Sequence, residues 1–399
     1  MSEQESGGQQ AGGAQAAGVD AGAYDFLKLE RVIWGRPAAE AVVAEADLRS
    51  AGRVFVVASH SLNTKTPVVQ RIADALGSRH AGTFDGCREH APRDTVMAAI
   101  LAARAARPDL IVSVGGGTVI DTVKIVLIGL AHDVTTEEEL AAYKMTAGAK
   151  IAPPPCRQIA VPTTLSAAEF SNLGGSVDPK RGVKDPFTGP EVGPAAVILD
   201  PAACIYTPEL LWTSTGIRAV DHAVEGLCSI RPAPLADGCT QHALRLFKEG
   251  LPASRDNPDD LEGRLLCQQA AWLAATGILR TPYGASHGIG HALGGVTGMA
   301  HGITSCVMLP AVMRWNLPAT EKQQALIAAA MGEADVPAHE QVAALVRRLG
   351  LPGRLSEAGV SRDQLPRIVE VALDNMWVKT NPRPIRQASD VEEILELAW

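Results

Sequence analysis

Aromatic residues are scarce in this chain of 399 residues: Phe, Trp and Tyr together make up 4%. A core must therefore rest on Ala, Leu, Val and Ile, for which a hydrophobic content of 46% leaves ample material. No run of five basic residues occurs, and the formal charge is -8. That balance argues against a general nucleic-acid binder, because neutralising phosphates needs a basic face. No apolar run reaches the roughly 18 residues of a membrane-helix candidate, and the N-terminus lacks the basic-then-apolar order of a secretory signal. No CxxC pair is present among the seven cysteines, Cys87, Cys156, Cys204, Cys228, Cys239, Cys267 and Cys306. An odd, scattered set suits reduced thiols better than a disulfide framework or a zinc knuckle. The expectation is a soluble cytoplasmic protein with neither nucleic acid nor membrane as partner.

What is present organises into three parts. Residues 1–24 are Gly, Ala and Gln with almost nothing to bury, which predicts a disordered tail. Residues 25–202 alternate short β-rich runs (Val54–Ala58, 110–114, 158–161, Ala196–Leu199) with helical stretches (Val68–Leu76, 94–106, 120–130). That alternation predicts an α/β domain with a parallel sheet covered on both faces. Residues 203–399 are dominated by helical periodicity, at 216–228, 239–249, 261–276, 285–294, 321–331, 339–349 and 390–398, which predicts an all-α domain.

Two constellations carry chemistry. The run 110–114 leads into Gly115-Gly116-Gly117-Thr118 and then a helix. Glycines allow the backbone to turn tightly and approach a ligand, and a helix N-terminus offers free N–H groups to a pyrophosphate. The spacing is not G-x-G-x-x-G, so a plain strand-to-helix turn stays open. Asp121 and Lys124 follow at helical spacing, as a solvent-facing ion pair or as a pair at a cofactor's edge. The second constellation is His287 and His291, four apart on one helix face, with His301 ten residues later and His222 on a separate helix. Imidazole is a common ligand for zinc or iron. Gly288 stands where the metalloprotease motif requires Glu, so that chemistry does not apply.

Together these pieces resemble the iron-containing alcohol dehydrogenase superfamily, and more closely its maleylacetate reductase branch. The resemblance spans nearly everything after the tail. It rests on Gly115-Gly116-Gly117-Thr118 with Asp121 and Lys124, on Val161-Pro162-Thr163-Thr164 through Glu169, on residues 216–225 and 286–302, and on Asn381-Pro382-Arg383-Pro384. It implies a dinucleotide-binding α/β domain, a helical domain, and an active site in the cleft between them. Gly116, Gly117 and Thr118 would then hold the pyrophosphate, with Asp121 nearby. Thr163, Thr164 and Ser166 would line the nicotinamide end, and Lys184 matches a lysine that reaches the cofactor ribose. In metal-dependent members an Asp and three His bind the ion. His222, His287 and His301 match those histidines, and His291 matches the one beside nicotinamide and substrate. A homodimer is a further expectation from the resemblance.

Two departures matter. The Asp ligand one helical turn before His222 is replaced by Arg218, which cannot ligate and would repel a cation. The acidic residue that receives the adenosine 2′-hydroxyl is matched by Ser59, followed by His60, so NAD and NADP both remain cofactor candidates. The reductase branch is favoured by a shortened Thr163–Glu169 segment, by Phe84-Asp85 with His90-Ala91-Pro92, and by residues 291–295. Ile120 through Lys124 and Ala300-His301-Gly302 look more like the dehydrogenases.

The expected function is hydride transfer from NAD(P)H to an unsaturated or oxo acid of the maleylacetate type, in aromatic-compound catabolism. Arg218 would hold a substrate carboxylate or pair with Asp221 or Glu225, and His222, His287, His291 and His301 would stabilise oxyanion charge or donate a proton. The alternatives are a metal-dependent alcohol dehydrogenase, a catalytically dead cofactor binder, and a lyase of the dehydroquinate-synthase type. His60, His80, His90, His132, His242 and His339 read as surface or structural, the cysteines as packing residues, and Trp212, Trp315 and Trp377 as core or interface.

Overall fold

The computed structural model describes residues 22–399. Of the expected tail, residues 1–21 lie outside the described residues. Tyr24 does not behave as tail: its hydroxyl donates to the Thr276 carbonyl at 2.9 Å, and the Arg280 guanidinium lies over its ring.

The N-terminal part runs β1 (Arg31–Trp34), α1 (Ala38–Leu48), β2 (Val54–Ala58), α2 (His60–Lys65), α3 (Val68–Leu76), β3 (His80–Phe84), α4 (Arg93–Ala106), β4 (Leu110–Gly115), α5 (Gly117–Ala131), α6 (Glu137–Ala141), β5 (Arg157–Pro162), β6 (Leu173–Asp178), β7 (Val183–Thr188) and β8 (Ala196–Leu199). Six strands form one parallel sheet in the order β1-β8-β5-β4-β2-β3. The β-branched run of β2 is buried on both faces, as a parallel strand between helices must be. Val54 and Val56 pack with Val42 of α1 and Ile72 of α3, while Phe55 and Val57 pack with Ile100 of α4 and Val123 of α5. The strand order reverses direction between β2 and β4. The crevice at their carboxyl ends is the switch point at which doubly wound sheets take ligands.

The antiparallel pair β6–β7 stands apart from the main sheet. Lys124 fastens it. Its side chain is fully buried, and Nζ donates to Asp121 Oδ1 at 3.0 Å and to the carbonyls of Ala168 and Leu173 at 2.7 Å each. Of the two readings left open by the spacing, the solvent-facing pair does not hold for Lys124, which is a buried bolt between α5 and the segment leading into β6.

The remainder is helical: α7 (Pro201–Cys204), α8 (Glu209–Leu227), α9 (Pro234–Asp256), α10 (Leu261–Ala274), α11 (Ala285–Thr297), α12 (His301–Ala330), α13 (Ala338–Arg348), α14 (Leu365–Leu373) and α15 (Ala388–Leu397). The largest departure from the sequence expectation is α12, of which only the last turns were anticipated. Pro310 and Pro318 lie inside it, and the chain kinks at Thr320, where φ is -132°. Burial of Val307, Met308, Leu309, Val312 and Trp315 holds the helix together across them. No helix among the described residues is long and apolar enough to cross a membrane.

Candidate active site

At the switch point, Gly116, Gly117 and Thr118 are half-buried between the buried Gly115 and Val119. Gly115 has φ +154°, and the N-terminus of α5 carries no side-chain cap, so its first N–H groups face the crevice unoccupied by protein. The next segment closes on the loop. A Cβ on Gly116 would lie 2.9 Å from Thr164 Cγ2, and one on Gly117 would lie 2.9 Å from Ser166 Oγ. Thr163 donates its N–H to the Gly115 carbonyl at 3.0 Å. Ser59 caps α2 through Leu62 N–H and sits against Gly115. This cradle, which any side chain would fill, fits a dinucleotide phosphate. Thus Gly116, Gly117, Thr118, Thr163, Thr164, Ser166 and Ser59 are gathered at one place. Asp121 lies in the first turns of α5, bonded to Lys124. Lys184 is on β7, with its stem across Gly175 of β6, where a Cβ would run into Lys184 Cε.

The segment 163–166 is tied to the helical part through Leu165 N–H, which donates to Thr215 Oγ1 of α8 at 3.1 Å. Further along α8 come Arg218, Asp221, His222 and Glu225, one or two turns apart and facing α11 and α12. Glu225 organises the N-terminus of α11. Its carboxylate accepts from the backbone N–H of Gly284 (3.1 Å), Ser286 (2.8 Å) and His287 (3.2 Å), and lies 2.8 Å from His287 Nδ1. Asp221 is fully buried; its Oδ2 accepts from the hydroxyls of Ser286 (2.9 Å) and Ser305 (2.7 Å). Arg218 donates to Ser305 Oγ at 3.1 Å and approaches Asp221 Oδ2 at 3.7 Å. Among the described residues, Arg218 has no other protein acceptor. Of the two carboxylates considered for Arg218, Asp221 is the one beside it, while Glu225 is engaged by α11.

The four histidines do come together, in an aromatic chain that includes two residues not anticipated for it. His222 stacks on Tyr283 (centroids 5.6 Å apart), Tyr283 meets His287 (4.3 Å), His287 meets Trp377 edge-on (5.7 Å), Trp377 lies over His291 (4.5 Å), and His291 meets His301 (5.2 Å). Trp377, expected as a core or interface residue, is a half-buried wall of the histidine cluster. Nothing in the spacing marked it, because it lies 86 positions beyond His291 in the chain. Burial first, then the Arg218 guanidinium, holds His291 down to about 2 and His301 to about 3. His222 is also held well below the ordinary imidazole value, by burial and then by His287 and Arg218. These rings are neutral, each with one N–H donor and one bare nitrogen.

Of His222, His287 and His301, which the resemblance matches to metal ligands, His287 falls in a group of closely spaced donor atoms. Among the described residues, the group with donor atoms within 4.8 Å of one another is Asp221, Glu225 and His287. Asp221 Oδ1 and His287 Nε2 are buried without partners there. Even so, this set does not fit a divalent ion. Both oxygens of Glu225 are committed to α11, Oδ2 of Asp221 accepts two hydroxyls, and a permanent cation stands 3.7 Å from it.

A glycine-rich cradle at the switch point of a doubly wound sheet, with a helical domain carrying a buried arginine-histidine cluster, fits the class of two-domain oxidoreductases. The chain belongs to the iron-containing alcohol dehydrogenase family, on its maleylacetate reductase-like branch. The family model for iron-containing alcohol dehydrogenase matches residues 30–201, and that for the C-terminal part of the Fe-containing alcohol dehydrogenase family matches 212–399. Dehydrogenase ALT3 of Alternaria alternata is 31% identical over 83% of this chain and 94% of its own length. Maleylacetate reductase 2 of Cupriavidus pinatubonensis is 30% identical over 76% of each chain. The crystal structure of maleylacetate reductase from Agrobacterium tumefaciens superposes with a TM-score of 0.82 at 26% identity, covering 96% of this chain and 99% of that one.

Proposed function

We propose that this enzyme is an NAD(P)H-dependent reductase acting on an unsaturated or oxo acid of the maleylacetate type, in aromatic-compound catabolism. The observation that carries the reading is Arg218: a guanidinium with uncommitted donors, set among neutral imidazoles where the resemblance leads one to expect a carboxylate ligand. Gly116, Gly117 and Thr118 would hold the pyrophosphate, Thr163, Thr164 and Ser166 the nicotinamide end, and Lys184 the ribose. A reduced nicotinamide bound there supplies the hydride. Arg218 binds a substrate carboxylate through its planar fork, which fixes the electrophilic carbon relative to the cradle. His291 and His301 donate neutral N–H hydrogen bonds to oxygen charge as it develops, in a site where burial strengthens them. Trp377 and Tyr283 keep water from the cluster.

The test is oxidation of NADH and NADPH with maleylacetate and with simple aldehydes, each with and without a chelator. Turnover of the acid that survives chelation is expected. Arg218→Ala should raise the Michaelis constant for the dicarboxylate by roughly ten- to a hundredfold, the value of a charged hydrogen bond, and leave that for NADH unchanged. An unchanged constant for the acid would end the carboxylate-clamp idea.

A second reading, a metal-dependent alcohol dehydrogenase, draws on the gathering of His222, His287 and His301, the histidines that the resemblance matches to metal ligands, in one cluster. Stoichiometric metal in the purified protein, with activity lost on chelation, would favour it. A cytoplasmic location belongs to the same proposal, supported by seven free cysteines, as does a homodimer.

A further inference from the structure

The crevice between β2 and β4 has to receive an adenosine ribose if a dinucleotide lies with its pyrophosphate on α5. At the end of β2 the chain itself supplies only Ser59, a hydroxyl already engaged as the cap of α2. A carboxylate nevertheless reaches this place, from the neighbouring strand. The parallel pairing of β2 with β3 brings Val57 level with Phe84, so the residue after β3 emerges beside the residues after β2. That residue is Asp85. Its Oδ2 lies 2.9 Å from His60 Nδ1 and accepts from Asn63 Nδ2 at 3.0 Å, which seats the carboxylate over the first turn of α2.

The surroundings keep this group an anion and keep it open. Hydrogen bonding from Asn63, then from His60, holds its carboxyl below the usual carboxylate range. About a third of the side chain remains exposed, so a ribose can reach it. A 2′,3′-diol would donate to such a carboxylate, whereas a 2′-phosphate would meet it charge against charge. The His60 imidazole is already engaged with Asp85 through Nδ1.

We propose that Asp85, reaching in from the end of β3, is the residue by which this enzyme selects NADH over NADPH, in the role that Ser59 cannot fill. The inference rests on the nicotinamide-dependent reading of the cradle.

It is tested by binding as well as by turnover. Dissociation constants for NADH and NADPH are measured by fluorescence titration, and those for ADP-ribose and its 2′-phosphate by calorimetry. Wild type, Asp85→Asn and His60→Ala are compared. The wild type should hold NADH at least about tenfold more tightly than NADPH, a modest value for one charge pair in a partly exposed site. Asp85→Asn, which keeps the shape and removes the charge, should erase most of that ratio by tightening NADPH and the 2′-phosphate. His60→Ala should retain the preference. A wild type that prefers NADPH, or a ratio unmoved in Asp85→Asn with both dinucleotides bound, overturns the proposal alone. Failure of the wild type to bind either dinucleotide removes the cofactor reading and the proposal with it.

Discussion

Glu169 is a carboxyl group with only 2% exposure, and its Oε2 has no partner. Burial pushes its pKa up to about 7, against the opposing pull of its own backbone N–H and of Lys124. A carboxyl raised from 4.5 in the unfolded chain stabilises the fold fully below pH 4.5 and loses that contribution as pH rises through 7. The loss amounts to on the order of 3 kcal/mol. Glu169→Gln keeps the shape and cannot ionise, so its stability should stay level over the range in which the wild type falls. Urea unfolding at pH 5 and pH 8 checks this, and parallel profiles for the two proteins would refute it. At this scale the sequence was a partial guide. The resemblance picked out Glu169 within a motif, but neither its isolation nor the burial of Lys124 is visible in a spacing. Both depend on which chain segments come to lie over α5.

The helices that hold the site illustrate the same limit. His287 and His291 were legible as one face of α11, because a period of 3.6 residues is a local property. Trp377 was not, since the segment 375–380 meets α11 only through the tertiary fold. The contact has a clear requirement. A Cβ on Gly288 would lie 2.6 Å from Val378 Cγ2 and 2.8 Å from its backbone nitrogen, so only glycine lets this segment seat Trp377 over His291. Gly288→Ala should therefore displace the segment. The expected cost is about 1–3 kcal/mol of stability, as for other overpacked contacts, with a change in Trp377 emission identified by difference against Trp377→Phe. Preserved emission and an unchanged melting temperature would argue that the segment adapts freely. α12 was mostly missed for the opposite reason: local proline chemistry is real, but buried contacts on both sides of Pro310 and Pro318 outweigh it.

For the whole molecule, the α/β and helical halves were the most legible feature, because the shift from β-rich alternation to helical period runs over nearly two hundred residues on each side. What no period reveals is the state of the sheet's edges. At one edge, β3 pairs with β2 through a register shift between Val54 and Phe55, and Gly82 within it has φ +130°. Such irregularity discourages pairing with another chain. At the other edge, β1 pairs regularly with β8 on one side and has no second strand among the described residues. Trp34 ends this strand with 52% of its surface exposed, 6.1 Å from Trp272, and Leu279 is likewise exposed. An open, regular edge beside exposed apolar side chains suits a self-complementary interface about a two-fold axis, in which two copies of β1 pair and the sheets become continuous. Sedimentation equilibrium should accordingly give twice the single-chain mass for the wild type. Trp34→Glu, which places a charge in that interface and touches neither cradle nor histidine cluster, should shift the protein toward the single-chain mass while NADH binding persists. A wild type that sediments as one chain, or a dimer indifferent to Trp34→Glu, would locate the self-association elsewhere or dispense with it.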